Sequence, residues 1–175
     1  MMNEPFLDEK AKKILADRAA LMARKERDLN ANATSNLLVF YVGEEQQYAL
    51  AYESIDKVIP SHKITPVPGV NPLFSGLLYH NTEAWVVVNL HQLLIGKPAK
   101  SFSHFILLSE DHYRIALSAD TIVGQIGYDE TVELVQLTLS ETGQSYVRGI
   151  YKNNIAILDK KSIIDLLNLE QVEWN

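Results

Sequence analysis

The hydrophobic period of the chain changes near residue 36. Ahead of that point apolar residues fall at helical spacing; beyond it they come in short runs separated by turn formers. In and just before the stretch DEKAKKILADRAALMARKERDL, Leu7, Ala11, Ile14, Leu15 and Met22 draw a thin apolar stripe among good helix formers. Asp8 and Glu9 at its start suit the helix dipole. The stripe is too weak to bury a helix by itself, so it predicts a helix that docks lightly on the body or on a partner, or one that stays solvated. NANATSN (30–36) reads as a linker.

From Leu37 the pattern is that of strands. LLVFYV (37–42) and QYALAY (47–52) flank GEEQ and predict a hairpin. ESIDKVIP then ends at a proline. PVPGVNP, with prolines at 66, 68 and 72 and Gly69, predicts a rigid loop that forbids helix. Strand-like runs resume at LFSGLLY, EAWVVVN, SHFILLS, YRIALSA, TIVGQIGY and IAIL, a spacing that predicts a β-barrel or sandwich. The region 128–146 predicts one more strand and a mobile segment. SGLLYHNTEAWVVVNLHQLL (75–94) is echoed by RGIYKNNIAILDKKSIIDLL (148–167). Asn89 and Asp159 stand at matching places as helix N-cap types, and Ser162 with Asp165 suggests a capping box. Inside the first copy lies the reversal YHNT (79–82), which admits three readings: a catalytic pocket, an ordinary hairpin, or a docking surface for a second protein.

Composition narrows the function. No cysteine is present, which excludes disulfides and thiolate metal sites. The net charge of −6 is uneven: residues 1–35 hold seven Lys/Arg and six Asp/Glu (+1), and the remainder nine and sixteen (−7). A body that acidic repels phosphate backbones, so nucleic acid is not an expected partner. The central apolar run Ala84–Val88 is far short of the roughly 20 residues of a membrane span. The opening MMNEPFLDEK lacks signal-peptide layout, which predicts a soluble cytoplasmic protein without membrane insertion.

Candidate chemistry is sparse. The histidines at 62, 80, 91, 104 and 112 have no zinc-like spacing, although His104 and His112 flank a predicted hairpin and could approach one another. Gly124-Gln-Ile-Gly127 has the wrong spacing for a nucleotide loop, and no serine stands in a nucleophile elbow. The acid pairs Glu44-Glu45, Glu110-Asp111 and Asp129-Glu130 all fall at predicted turns, where nothing raises a carboxyl pKa. Tyr41, Tyr48 and Tyr113 have only Arg114 for basic company, too little for a stacking platform that binds single strands. Enzymatic activity and a cofactor are therefore not expected.

LLVFYVGEEQQYALAYESIDKVI, PVPGVNPLFSGLL, EAWVVVNLHQLLIG, HYRIALSADTIVGQIG and IAILDKKSIIDLL, in that order, resemble the CheW family, the adaptors of bacterial chemotaxis arrays. The resemblance runs from about Leu37 to Leu169. It implies a mainly β domain at 37–169 made of two SH3-like five-stranded β-barrel subdomains sharing a core, after an N-terminal α-helical extension and linker (1–36) and before a short tail (170–175). It also implies a non-enzymatic role: coupling the regulatory domain of a CheA-type histidine kinase to the cytoplasmic tip of a chemoreceptor, with other CheW-like domains as further partners. Ile55 and Val58 match family contact positions; plain core packing is the alternative for both. Gly76 matches the glycine ahead of the next strand. Where the family usually has N-L-R-G followed by a Pro-Val-Val-Asp-Leu strand, this chain has Tyr79, His80, Asn81 and Thr82, then Val86 and Asn89; Lys57 stands where Glu is common. Asn89 keeps a cap. Thr82 is costly if the turn needs positive φ, a role Asn81 could take over. Asn81 and Lys57 change the surface charge that a partner meets. The expected docking set is thus Ile55, Lys57, Val58, Gly76, Tyr79, Asn81 and Thr82, on either an array adaptor or a diverged regulator that binds another protein.

Overall fold

The computed structural model describes residues 12–21, 34–136, 146–152 and 154–170. The rest of the predicted extension and linker, residues 137–145 of the region (128–146) expected to hold a further strand and a mobile segment, and the tail beyond 170 lie outside the described residues. Residues 12–21 form a helix (α1) whose side chains are all exposed, with Ile14, Leu15 and Leu21 about half to three-quarters open to solvent. Residues 12–21 are thus solvated rather than docked on the body, while Leu7, Ala11 and Met22 of the stripe lie outside the described residues.

Among the described residues the body has eleven strands. β1 (Ser35–Val42), β2 (Gln46–Ala51), β9 (Thr121–Tyr128), β10 (Val147–Tyr151) and β11 (Ile155–Leu158) form a five-stranded sheet in the order β10-β11-β2-β1-β9. β3 (Lys57–Pro60), β4 (Ile64–Thr65), β5 (Phe74–His80), β6 (Glu83–Val88), β7 (His104–Glu110) and β8 (Tyr113–Ala119) form a six-stranded one in the order β3-β7-β8-β6-β5-β4. A 3-10 turn (Tyr52–Ser54) leads into β3, and helices α2 (Leu90–Ile95) and α3 (Lys160–Glu170) follow β6 and β11. The fold is mainly β in two units, as the sequence indicates. The six-stranded sheet exceeds the expected five by β4, which has only two residues and leaves no period to read.

The long apolar runs are explained by double burial. In β1, Leu38, Phe40 and Val42 enter a core shared by both sheets, while Leu37 and Val39 enter a separate core inside the first sheet. In β7, Ile106 and Leu108 enter the shared core, and Phe105 and Leu107 a third core inside the second sheet. A strand with both faces covered reads as continuous rather than alternating hydrophobicity. Inner cores require curled sheets. Flat, the six strands would set β3 and β4 about 24 Å apart. The chain from Pro60 to Ile64 spans at most about 14 Å. In the first sheet the edges meet through Tyr128 and Tyr151, edge to face with ring centroids 5.0 Å apart.

The internal echo is real and goes further than the 75–94 and 148–167 segments. β5-β6-α2 and β10-β11-α3 are antiparallel hairpins that each end in a capped helix. Asn89 Oδ1 accepts the Gln92 N–H (3.3 Å), and Asp159 Oδ2 accepts the Ser162 N–H (3.1 Å) and hydroxyl (2.5 Å). Ser162 thus serves the Asp159 cap from inside α3, and the expected box with Asp165 is replaced by it. ALAYESIDKVI (49–59) and ALSADTIVGQI (116–126) align without a gap, and their structural roles agree. Ala49 lies beside Ile157 and Ala116 beside Val87, both in parallel pairings. Ile55 and Ile122 both pack on the shared core. The first repeat (35–95) lends its hairpin β1-β2 to the sheet completed by β9, β10 and β11. The second repeat (104–170) lends β7-β8 to the sheet completed by β3, β4, β5 and β6.

Each repeat also places a bulge before a glycine. Ser75 and Arg148 are skipped in the pairings that resume at Gly76 and Gly149. A Cβ on Gly76 (φ 129°) would lie 2.3 Å from the Thr65 carbonyl oxygen, and one on Gly149 2.7 Å from Leu134 Cβ. Gly76 is what lets β4 close over β5. Gly124 has a similar φ of 138° but open space around it. We expect Gly76→Ala to lower stability in urea by roughly 3 kcal/mol, strain and overpacking together. Gly124→Ala should cost less than half of that; equal losses would show that the approach of β4 is not what the glycine serves.

Candidate docking surfaces

The β5-β6 reversal is a two-residue hairpin loop. His80 pairs with Glu83, and Asn81 (φ 48°) and Thr82 (φ 66°) form its tip. Positive φ at both central residues is the requirement of a type I′ turn, which matches the twist of the strands. Asn81 therefore does not relieve Thr82: both residues are left-handed, and a β-branched residue in that region is strained. Tyr79, 59% exposed, and the exposed Asn81 and Thr82 stand together on this tip. Glu83 and Arg114 (2.9 Å) form an ion pair behind it, exposed enough to contribute about 0–1 kcal/mol. His62 meets His80 edge to face at 6.0 Å.

Ile55, Lys57 and Val58 occupy a second place, on β3 and the turn before it. The Asp56 N–H donates to the Leu107 carbonyl (2.9 Å), which pins the start of β3 to β7. Ile55 and Val58 are half-buried and packed on the shared core, whereas Lys57 is exposed. In the ladder β7 and β8 lie between this group and the hairpin that carries the tip, while His62, just after β3, meets His80 beside it. Gly76 is buried and can act on a partner only through the ladder it permits. Asn89, 3% exposed, does more than cap: its amide donates to the Ala99 carbonyl (3.0 Å) and to Ser75 Oγ (3.3 Å). Val86 extends β6 as an ordinary strand residue.

Other sequence candidates are separated by the fold. His104 opens β7 opposite Ala119 and His112 sits in the turn at the far end of that strand, so they do not approach. Tyr48 is buried in the shared core and its hydroxyl pKa is pushed up by burial, so it offers no stacking face. The acid pairs do sit at turns. Thr131 donates its hydroxyl (2.6 Å) and N–H (2.9 Å) to Asp129 Oδ1, which holds that carboxyl below its usual range.

One junction has no counterpart in the sequence reading. Asp120 Oδ2 accepts the Gly43 N–H (2.7 Å) and lies 2.9 Å from His91 Nε2, tying the β1-β2 turn to α2 at an open hollow of about 610 Å³ that Tyr41, Glu44 and Ser103 also line. Residues 77 apart in sequence meet there, and spacing alone carries no signal of it. Tyr52 and Val123, both about half exposed, are further apolar surface residues outside the expected set.

A family profile described as "CheW-like domain" matches residues 36–172. No curated protein sequence matches the chain. Among solved structures, the scaffolding protein TtCheW from Thermoanaerobacter tengcongensis is similar in fold. Its TM-score is 0.63 at 19% identity, over 72% of this chain and 84% of that one. The family profile and the fold place the chain among signal-transduction adaptor modules of the chemotaxis type. The chain belongs to the CheW-like domain family.

Relieving the left-handed Thr82 should stabilise the tip. Thr82→Gly removes about 1–2 kcal/mol of strain against roughly 0.5–1 kcal/mol of added unfolded-state entropy. We expect a Tm higher by roughly 2 °C, with no gain for Thr82→Ala. A lower Tm for the glycine variant would mean the threonine side chain stabilises the turn.

Proposed function

We propose that this protein is a non-enzymatic cytoplasmic adaptor that couples the cytoplasmic tip of a chemoreceptor to the regulatory domain of a CheA-type histidine kinase, in chemotaxis or a related motility pathway. Membership of the CheW-like family over most of the chain carries this reading. Three features support it. Among the described residues no helix is long and apolar enough to cross a membrane. The tip residues Tyr79, Asn81 and Thr82 project from a hairpin whose strands are anchored by the buried Leu78 and Trp85. Ile55 and Val58 present β-branched side chains beside an exposed Lys57, a surface suited to an amphipathic helix. In this role the body acts as a rigid spacer between two protein contacts, and other CheW-like domains are its further partners.

A second reading is favoured by Asn81 and Lys57. Both are exposed, and both alter the charge presented where the family resemblance places partner contacts. On that reading the fold serves a regulator that binds another protein outside receptor arrays. Co-purification with the kinase regulatory domain and with a receptor-tip fragment separates the two: micromolar binding to either supports the adaptor, and binding to neither removes it.

The tip can be tested without disturbing the fold. Asn81→Arg would place a residue poorly suited to φ 48° there, so Asn81→Asp and Tyr79→Ala are the cleaner changes. We expect each to weaken partner binding at least fivefold, about 1 kcal/mol, while Tm moves by no more than about 2 °C. Unchanged affinity for both variants would take the tip out of the interface.

A further inference from the structure

We propose that two copies of this chain can exchange repeats to form a closed dimer, with residues 96–103 as the hinge. The argument starts from the ladders. β1 and β2 reach their neighbours β9 and β11 only in the second repeat, and β7 and β8 reach β3 and β6 only in the first. Each sheet is thus already an association of two segments, and a second copy can supply either segment with every pairing kept. The shared core draws on both repeats in the same way, with Phe40 and Val88 from the first and Ile106 and Leu158 from the second.

The connection between repeats is slight. Gly96 closes α2 in a left-handed conformation, and Lys97, Pro98, Lys100 and Ser101 are exposed. The hinge is held by the Ala99 carbonyl, which accepts from Asn89, by the buried Phe102, and at its end by Ser103, whose N–H donates to the Ala119 carbonyl (3.2 Å) and whose carbonyl accepts from the Ser61 N–H (2.8 Å), so exchange must release these three anchors; it spans up to about 28 Å when extended. Because the contacts in the one-copy and two-copy forms are the same, concentration decides between them. A short flexible connection gives an effective concentration on the order of millimolar. The one-copy form therefore dominates when dilute, and exchange competes when the chain folds near that concentration. Exchange needs the ladders to open, so folded copies do not interconvert readily. The occupant is a second copy because only the same sequence restores the Ala49–Ile157 and Ala116–Val87 pairings.

The absence of cysteine makes a direct test possible. Tyr41 on β1 and Thr121 on β9 are directly opposed, one in each repeat. The double variant Tyr41→Cys, Thr121→Cys is unfolded in reductant, refolded at either about 1 μM or about 1 mM, oxidised, and run on a non-reducing denaturing gel. We expect an internally bridged monomer from the dilute sample and a covalently closed dimer from the concentrated one. Mixing isotope-labelled and unlabelled unmodified chain before concentrated refolding should give mixed dimers in native mass spectrometry. Deleting residues 97–100 should shift the product to dimer even when dilute. Internally bridged monomer alone at both concentrations, with no mixed dimer of the unmodified chain, would overturn the proposal, whatever the deletion variant does.

Discussion

Alternate side chains of β1, β7, β8 and β11 enter different cores, and the remaining features follow from that double burial. Phe40 and Ile106 meet in the shared core, while their neighbours Val39 and Phe105 fill the insides of separate curled sheets. Burying a side chain of this size contributes about 1.5–3 kcal/mol. A sheet carrying such residues on both faces cannot stand with one face in water. The halves are accordingly interdependent, and the exchange of hairpins between repeats builds that dependence into the ladders themselves. The rigidity so obtained is what allows short exposed features, a two-residue tip and a four-residue edge strand, to hold fixed positions.

The edges of the two sheets are managed differently from their centres. β3 ends in Pro60, β4 stops after two residues just before Pro66, and β9 carries a bulge in which Val123 is skipped between Gly124 and Ile122. β10 has its own bulge at Arg148 and takes a bridge from Val135. These are the devices by which sheets resist edge-to-edge growth. They disfavour added strands and leave side chains on tips and turns, Tyr79 and Asn81 among them, as the exposed features.

Much of this was legible in the chain. The apolar runs located most strands because both-face burial leaves no polar interruption, and Asn89 and Asp159 marked two helix starts because capping is local chemistry. β3 was not separated from ESIDKVIP, since four residues containing Lys57 and Pro60 show no clean alternation. β4 was too short to register at all. Counting forward from Ser162 points to Asp165 as its capping partner, but the helix begins two residues earlier, at Lys160, and Asp159 is the residue that caps it. The tip and the cost of a threonine at positive φ are both readable in YHNT, but that Asn81 and Thr82 are left-handed together is not, because φ depends on the strand twist that closes the loop. The Asp120, Gly43 and His91 junction depends wholly on tertiary approach. Residues 12–21 show the reverse case, a local helical pattern whose described side chains are all exposed.

Asn89 has a consequence beyond capping. A carboxylate in that buried place could accept from Gln92, but it would face the Ala99 carbonyl without a proton to offer and would satisfy it only after taking one up. The amide carries donor and acceptor permanently and does not titrate. The knot joining α2, β5 and the segment after α2 therefore keeps its hydrogen bonds unaltered through acidification of its surroundings, and the seam between the two repeats is insulated there from proton concentration.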